Sequence, residues 1–291
     1  MSPSAPYFQN VRLSDLVLRV RDLDTVRRFY ETALGLCGRE AGAGRVTLSS
    51  GEDGPPLVVL VEAPGAPARP VGAAGLFHVA FLHRDRGALG RAARRLNDLD
   101  IEFAGGDHGV SEALYLSDPE GNGIELYVDR NVSDWPVSNN GDVAMYTEDL
   151  DINGILREGE ARAGSTDRDR VRIGHIHLSV ADLGAAEQLI AQGLGFPVRQ
   201  RNYAGALFFG RDGYHHHFGA NVWRSRLAAP KGCLGLDRFT LSLRPAPRFP
   251  ELSASLHQLG VFAEETGPDA HVFRTADGIG LRVASLTDAE E

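Results

Sequence analysis

The residue types best suited to chemistry gather in the stretch from His108 through Tyr115 and Glu125 to Tyr127. Leu114 to Leu116 reads as the end of one strand, Asp118 to Gly123 as a Gly/Pro turn, and Ile124 to Val128 as the returning strand of a β-hairpin. Alternation puts Ile124, Leu126 and Val128 on one face and Glu125 with Tyr127 on the other. A carboxylate in mid-strand either faces water or is enclosed. Enclosed beside a histidine and a tyrosine, it can hold a cation or take part in proton transfer. Further histidines stand at His78, at His175 and His177, and in the run His215-His216-His217. That run reads either as a metal-binding tract on composition or as strand, with His215, His217, Gly219 and Asn221 sharing a face. His83, His257 and His271 follow no pattern and are expected at the surface. No glycine loop after a strand cradles phosphate, and no serine sits on a nucleophile elbow.

The elements that must position these residues recur along the chain. Ser14 to Val20 alternates like a half-buried strand, and Asp22 opens a helical pattern that Gly35 stops. Short strands follow at Arg45 to Leu48 and Leu57 to Val61. The pattern returns with a strand from Phe77 to Leu82, a helix from Arg86 to Leu99 and the hairpin. A polar connector with a short helix near Asp151 to Arg157 leads to a third strand and helix at Gly174 to Leu183. A fourth copy runs from Asp237 to Leu243, with a helix from about Glu251 to Leu259. The offset is 63 positions from Asp15 to His78 and again from His175 to Arg238. Seven residues after each of these strand positions comes a helix opener: Asp22, Asp85, Asp182 and Pro245. Such self-similarity implies four β-α-β-β(-β) units in two modules.

Composition narrows the function class. A chain of 291 residues with 43% hydrophobic and 24% charged residues is an ordinary globular protein of about two domains. A net charge of −9 argues against nucleic acid as a partner. No apolar run reaches about 18 residues, and the N-terminal segment lacks the regions of a signal peptide, so no membrane partner and a cytoplasmic location are expected. Cys37 and Cys233 alone suit a reducing compartment and argue against a thiolate metal site or a disulfide scaffold.

With this repeat, the strand openings at His78 and His175, the hairpin from His108 to Tyr127 and the stretch Gly213 to Asn221, the chain resembles the vicinal oxygen chelate superfamily. Within it the chain is most similar to the type I extradiol ring-cleaving, catechol 2,3-dioxygenase-like proteins. The resemblance covers nearly the whole chain. It implies an α+β fold of four βαβββ units in two glyoxalase/extradiol-dioxygenase modules with cupped mixed sheets, residues 10–130 and 171–286, joined by a connector at 131–170. It implies one divalent metal on His78, His175 and Glu125, a two-histidine, one-carboxylate set that leaves adjacent positions open. Iron(II) is the expected ion, and manganese(II) shares its ligand preferences. The same resemblance makes His217 the acid/base residue beside the dioxygen site, Tyr115 a donor to a substrate oxygen and His108 a contact to that oxygen. The loop between His108 and Tyr115 is shorter than in the best-known members.

Some relatives pair their units crosswise, and the ligand positions favour that here. Units three and four would offer His175 with Arg238 and Arg282, and cations cannot be ligands. Units one and two would offer Asp15, His78 and Glu125, stranding His175. Pairing unit two with three and one with four assembles His78, Glu125 and His175. Asp15 as a third ligand remains the competing arrangement. The expected activity is iron(II)-dependent extradiol (meta) cleavage of a catechol or related aromatic diol with dioxygen, by a chain that can form a homo-oligomer. The alternatives are a metal-free binder of the bleomycin-resistance type and a glyoxalase-like metal isomerase or lyase.

Overall fold

The computed structural model describes residues 5–139, 141–161 and 170–287. Unit one holds β1 (Val11–Val20), α1 (Leu23–Ala33), β2 (Cys37–Glu40), β3 (Arg45–Ser49) and β4 (Pro56–Glu62). Unit two holds β5 (Gly75–His83), α2 (Arg86–Asp98), β6 (Ala104–Asp107), β7 (Ser111–Ser117) and β8 (Gly123–Asp129). The connector carries α3 (Ile152–Ala161). Unit three holds β9 (Val171–Ser179), α4 (Leu183–Glu187) running into a π-helical turn, β10 (Val198–Gln200), β11 (Ala206–Phe209) and β12 (Phe218–Asn221). Unit four holds β13 (Gly235–Leu243), α5 (Phe249–Gln258), β14 (Phe262–Thr266), β15 (Ala270–Arg274) and β16 (Gly280–Ser285). Each unit is therefore βαβββ.

The caps explain the helix starts. Asp22, Asp85 and Asp182 accept from the backbone N–H of Thr25, Ala88 and Ala185, satisfying donors the first helical turn leaves open. The fourth repeat departs from the expectation, because Pro245 opens no helix and α5 begins at Phe249. Pro247 disfavours helical backbone before it, whereas Pro250 lies in the first turn, where a missing N–H costs nothing.

Two eight-stranded sheets result, and each draws one unit from either half of the chain. One has the order β14-β15-β16-β13-β1-β4-β3-β2, the other β10-β11-β12-β9-β5-β8-β7-β6. The crosswise pairing expected from the ligand positions is thus the pairing found. Within every unit the first and last strands run parallel, and the first strands of paired units meet antiparallel at the sheet centre. A continuous apolar core, including Leu16, Leu18, Phe81, Ile176 and Phe239, joins the two sheets and their helices.

The connector is anchored at two places among its described residues. Backbone bonds in both directions join Glu148 to Asp107 at the edge of the second sheet. Beyond it, α3 lies against α2 with Gly90 and Gly159 in contact; a Cβ on Gly90 would stand 2.1 Å from the Ile155 carbonyl oxygen and 2.8 Å from the Gly159 nitrogen. Both neighbours are backbone, which cannot swing away. Gly90→Ala is therefore expected to cost about 1–3 kcal/mol, typical of overpacking, despite alanine's better helix propensity. A urea unfolding midpoint at or above wild type would show that α3 docks differently. The charged residues Asp167 to Asp169 lie outside the described residues. No described helix is long and apolar enough to cross a membrane.

Candidate metal centre

The two central strands of the second sheet and their neighbour β8 bring the three expected donors together. Ala80 on β5 pairs with Glu125 of β8 on one side and with His175 of β9 on the other, while His78 pairs with His177. Two-residue spacing along β5 sets His78 on the same face as Ala80. The result is a buried cluster of His78, Glu125 and His175, at 6%, 2% and 1% exposure. Nε2 of His78 lies 2.9 Å and Nε2 of His175 3.0 Å from the same Glu125 oxygen, Oε2. The His175 contact is a hydrogen bond, whereas the buried His78 Nε2 is too poorly aligned to make one. Ligand atoms about 3 Å apart, with the His78 Nε2 left unsatisfied among them, match an edge of a coordination shell with bonds of about 2.1 Å. The residues present therefore fit a divalent cation.

Their protonation also suits ligation. Burial pushes the Glu125 carboxyl up, but the His175 and His78 imidazoles outweigh it and hold it well below the usual carboxylate range. Burial depresses the His175 pKa against the pull of Glu125. A carboxylate and a neutral imidazole are the forms a cation needs. Close packing fixes the rings. The Tyr127 ring lies 4.8 Å from that of His175, and its hydroxyl is hydrogen-bonded at 2.8 Å to the Tyr214 hydroxyl. Only glycine fits at position 174, because a Cβ there would fall 1.8 Å from the Tyr127 oxygen.

Above the cluster opens a cavity of about 270 Å³, walled by Phe77, Phe208, Tyr203 and Trp223 and closed by Met145 and Thr147 from the connector. Two hydrogen-bonded chains reach it. His108 Nδ1 faces the Tyr146 carbonyl at 2.9 Å and so carries the ring proton, leaving Nε2 to accept from the Tyr115 hydroxyl at 2.7 Å. Burial, reinforced by the Glu125 charge, holds the Tyr115 phenol well above its ordinary pKa, so it keeps its proton. On the opposite side His215 Nε2 donates to Asp129 at 2.8 Å, which leaves His215 Nδ1 to accept from His216 Nδ1, also at 2.8 Å. His216 thereby presents an unprotonated Nε2. Burial, with His175 and His215 nearby, keeps the ring neutral by lowering its pKa well below the ordinary value. His177 accepts at Nε2 from the Asn221 amide at 3.0 Å and lines the same cavity.

His78, Glu125, His175, His108 and Tyr115 all line this cavity, and His217 does not. The expectation that His217 shares the inner face fails because β12 begins only at Phe218. Alternation does hold from Gly219 to Asn221, both against His177, and breaks in the irregular segment before it. His217 is fully buried elsewhere, its ring nitrogens 3.4 Å from the Tyr7 carbonyl and the Arg211 backbone N–H. Burial drives its pKa down to about 3. Asp15 lies on the other sheet, away from the cluster. Of the histidines expected at the surface only His257 is exposed, whereas His83 and His271 are buried, the latter stacked on Phe249. The connector residues Met145, Tyr146 and Thr147 went unmarked in sequence, since nothing in a polar linker signals that it caps a cavity.

Known proteins agree with this architecture. Residues 12–126 match the model of the Glyoxalase/Bleomycin resistance protein/Dioxygenase superfamily. Over 275 residues the chain is 40% identical to catechol-2,3-dioxygenase of Bacillus subtilis strain 168, covering 90% of this chain and 92% of that protein. It is 32% identical over 122 residues to biphenyl-2,3-diol 1,2-dioxygenase 3 of Rhodococcus globerulus, covering 41% of this chain and 64% of the relative. Glyoxalase I of Zea mays shares the fold at a TM-score of 0.59 and 15% identity, over 94% of this chain and 92% of that one. The full-length likeness, the crosswise βαβββ units and the enclosed His-Glu-His cluster together place the chain in the Glyoxalase/Bleomycin resistance protein/Dioxygenase superfamily, on its dioxygenase branch.

Proposed function

We propose that this chain is an iron(II)-dependent extradiol dioxygenase that opens a catechol or related aromatic diol with dioxygen. The observation that carries the reading is the convergence of two imidazoles and one carboxylate on the floor of an aromatic-walled cavity. A ferrous ion held by His78, Glu125 and His175 would bring the diol and dioxygen together and pass electrons from the diol to the dioxygen. The rest falls to side chains. Phe77, Phe208 and Trp223 suit the faces and edges of a flat ring and exclude water from it. His216 Nε2, bare and neutral, takes a diol proton and returns it later in the cycle. The Tyr115 hydroxyl donates to a substrate oxygen, with His108 Nε2 as the acceptor that orients it when the cavity is empty. Free thiols at Cys37 and Cys233 suit action in the reducing cytoplasm.

Protein purified without air and loaded with ferrous ion should retain about one ion per chain, the stoichiometry of one facial triad. Catechol should then drive oxygen uptake and give a yellow ring-opened semialdehyde. No retained metal would favour a metal-free ligand binder instead, and retained metal with no oxygen uptake across a panel of catechols and hydroquinones would favour a glyoxalase-like isomerase or lyase.

A further inference from the structure

The first sheet forms a second cup whose chemistry is the inverse of the first. The repeat sets Asp15 where the other cup has His78, Arg238 where it has His175 and Thr240 where it has His177. Strand pairing sets Val59 opposite Val17, as Glu125 stands opposite Ala80. A metal set has thus become a set with one carboxylate and a guanidinium, which cannot hold a cation. The cup still holds a cavity of about 480 Å³, lined by six arginines and a single aspartate among other residues. Arg238, Arg282 and Arg45 stand around Asp15, yet among the described residues none of their guanidinia makes a hydrogen bond or an ion pair within 4 Å. Among the described residues, two buried polar atoms there make no well-formed hydrogen bond: Nε of Arg238 and Oγ1 of Thr240, a residue only 1% exposed whose hydroxyl faces Asp15. Leu13, Leu57, Val59 and Ile173 supply apolar wall.

Buried donors without acceptors cost stability unless something satisfies them. Guanidinium forks match the two oxygens of a carboxylate. We propose that this cavity is a binding site for a small organic carboxylate, held at its anionic end by Arg238, Arg282 and Thr240 and at its apolar body by Leu13, Val59 and Ile173. The excess of arginine over aspartate favours a dicarboxylate over a monocarboxylate. This site is separate from the His-Glu-His cluster and does not depend on its metal.

Isothermal titration of the full-length protein with phthalate at low salt tests the assignment, with inorganic phosphate and neutral benzyl alcohol alongside. Phthalate should bind saturably at about 1 mM or tighter, more tightly than phosphate, and benzyl alcohol should not bind there. Arg238→Gln and Arg282→Gln should each weaken phthalate by about tenfold or more, the size of a lost charge-assisted hydrogen bond. Thr240→Val, which removes no charge, should weaken it by about threefold to tenfold and keeps the test alive if circular dichroism shows the arginine variants misfolded. His175→Ala should leave the affinity unchanged. Absence of saturable binding, indifference to all three substitutions, phosphate affinity equal to that of phthalate, or loss of binding in His175→Ala would each overturn the proposal.

Discussion

His175→Ala is expected to abolish stoichiometric iron binding and ring-opening turnover, whereas Asp15→Ala should keep both. The first half follows from the donor set. Removing one imidazole leaves His78 and one carboxylate, and the affinity loss should exceed the 10–100-fold typical of losing a residue that merely supports a ligand. The burial that serves the site also works against repair, because water cannot enter in force to fill the empty position. The second half follows from topology: Asp15 belongs to the sheet built from units one and four and faces Arg238, Arg282 and Arg45. Metal analysis after dialysis, with oxygen uptake on the same samples, reads both outcomes. Iron retained by His175→Ala and lost by Asp15→Ala would move the ion to the other cup and remove the cluster from the mechanism.

What could be read in the sequence was whatever a period of two or a fixed offset records. The 63-residue spacing located the four first strands, and the aspartates at 22, 85 and 182 marked three helix starts because capping is local chemistry. The hairpin itself was legible for the same reason, and its register in the structure sets Tyr115 opposite Glu125. The crosswise pairing was legible less directly, through the absurdity of placing arginines on a metal. Features that depend on breaks in regularity stayed hidden. Residues 214–217 read as strand by composition but precede β12, so the inward histidine shifts by one position. Nor does sequence show that Tyr146 offers its carbonyl to His108, since any residue type would supply that oxygen.

That one-position shift gives the second large effect. His216→Ala is expected to retain iron and bind catechol while turnover falls by about 10²–10⁴, the usual contribution of a general acid/base. The ring lines the cavity, its centroid is 4.2 Å from that of His175, and its Nδ1–H is committed to His215, so Nε2 alone is free to move a proton. His217→Ala should behave oppositely. Its ring is sealed between the Tyr7 carbonyl and the Arg211 N–H, so its loss should cost about 1–3 kcal/mol of stability by stranding those groups. Turnover per folded molecule should stay within a few-fold of wild type. Single-turnover rates under saturating catechol, paired with urea unfolding of both variants, separate the two residues. If His217→Ala were as stable as wild type but about 100-fold slower, and His216→Ala turned over normally, proton transfer would have to pass through His217 and the segment would have to turn its ring inward.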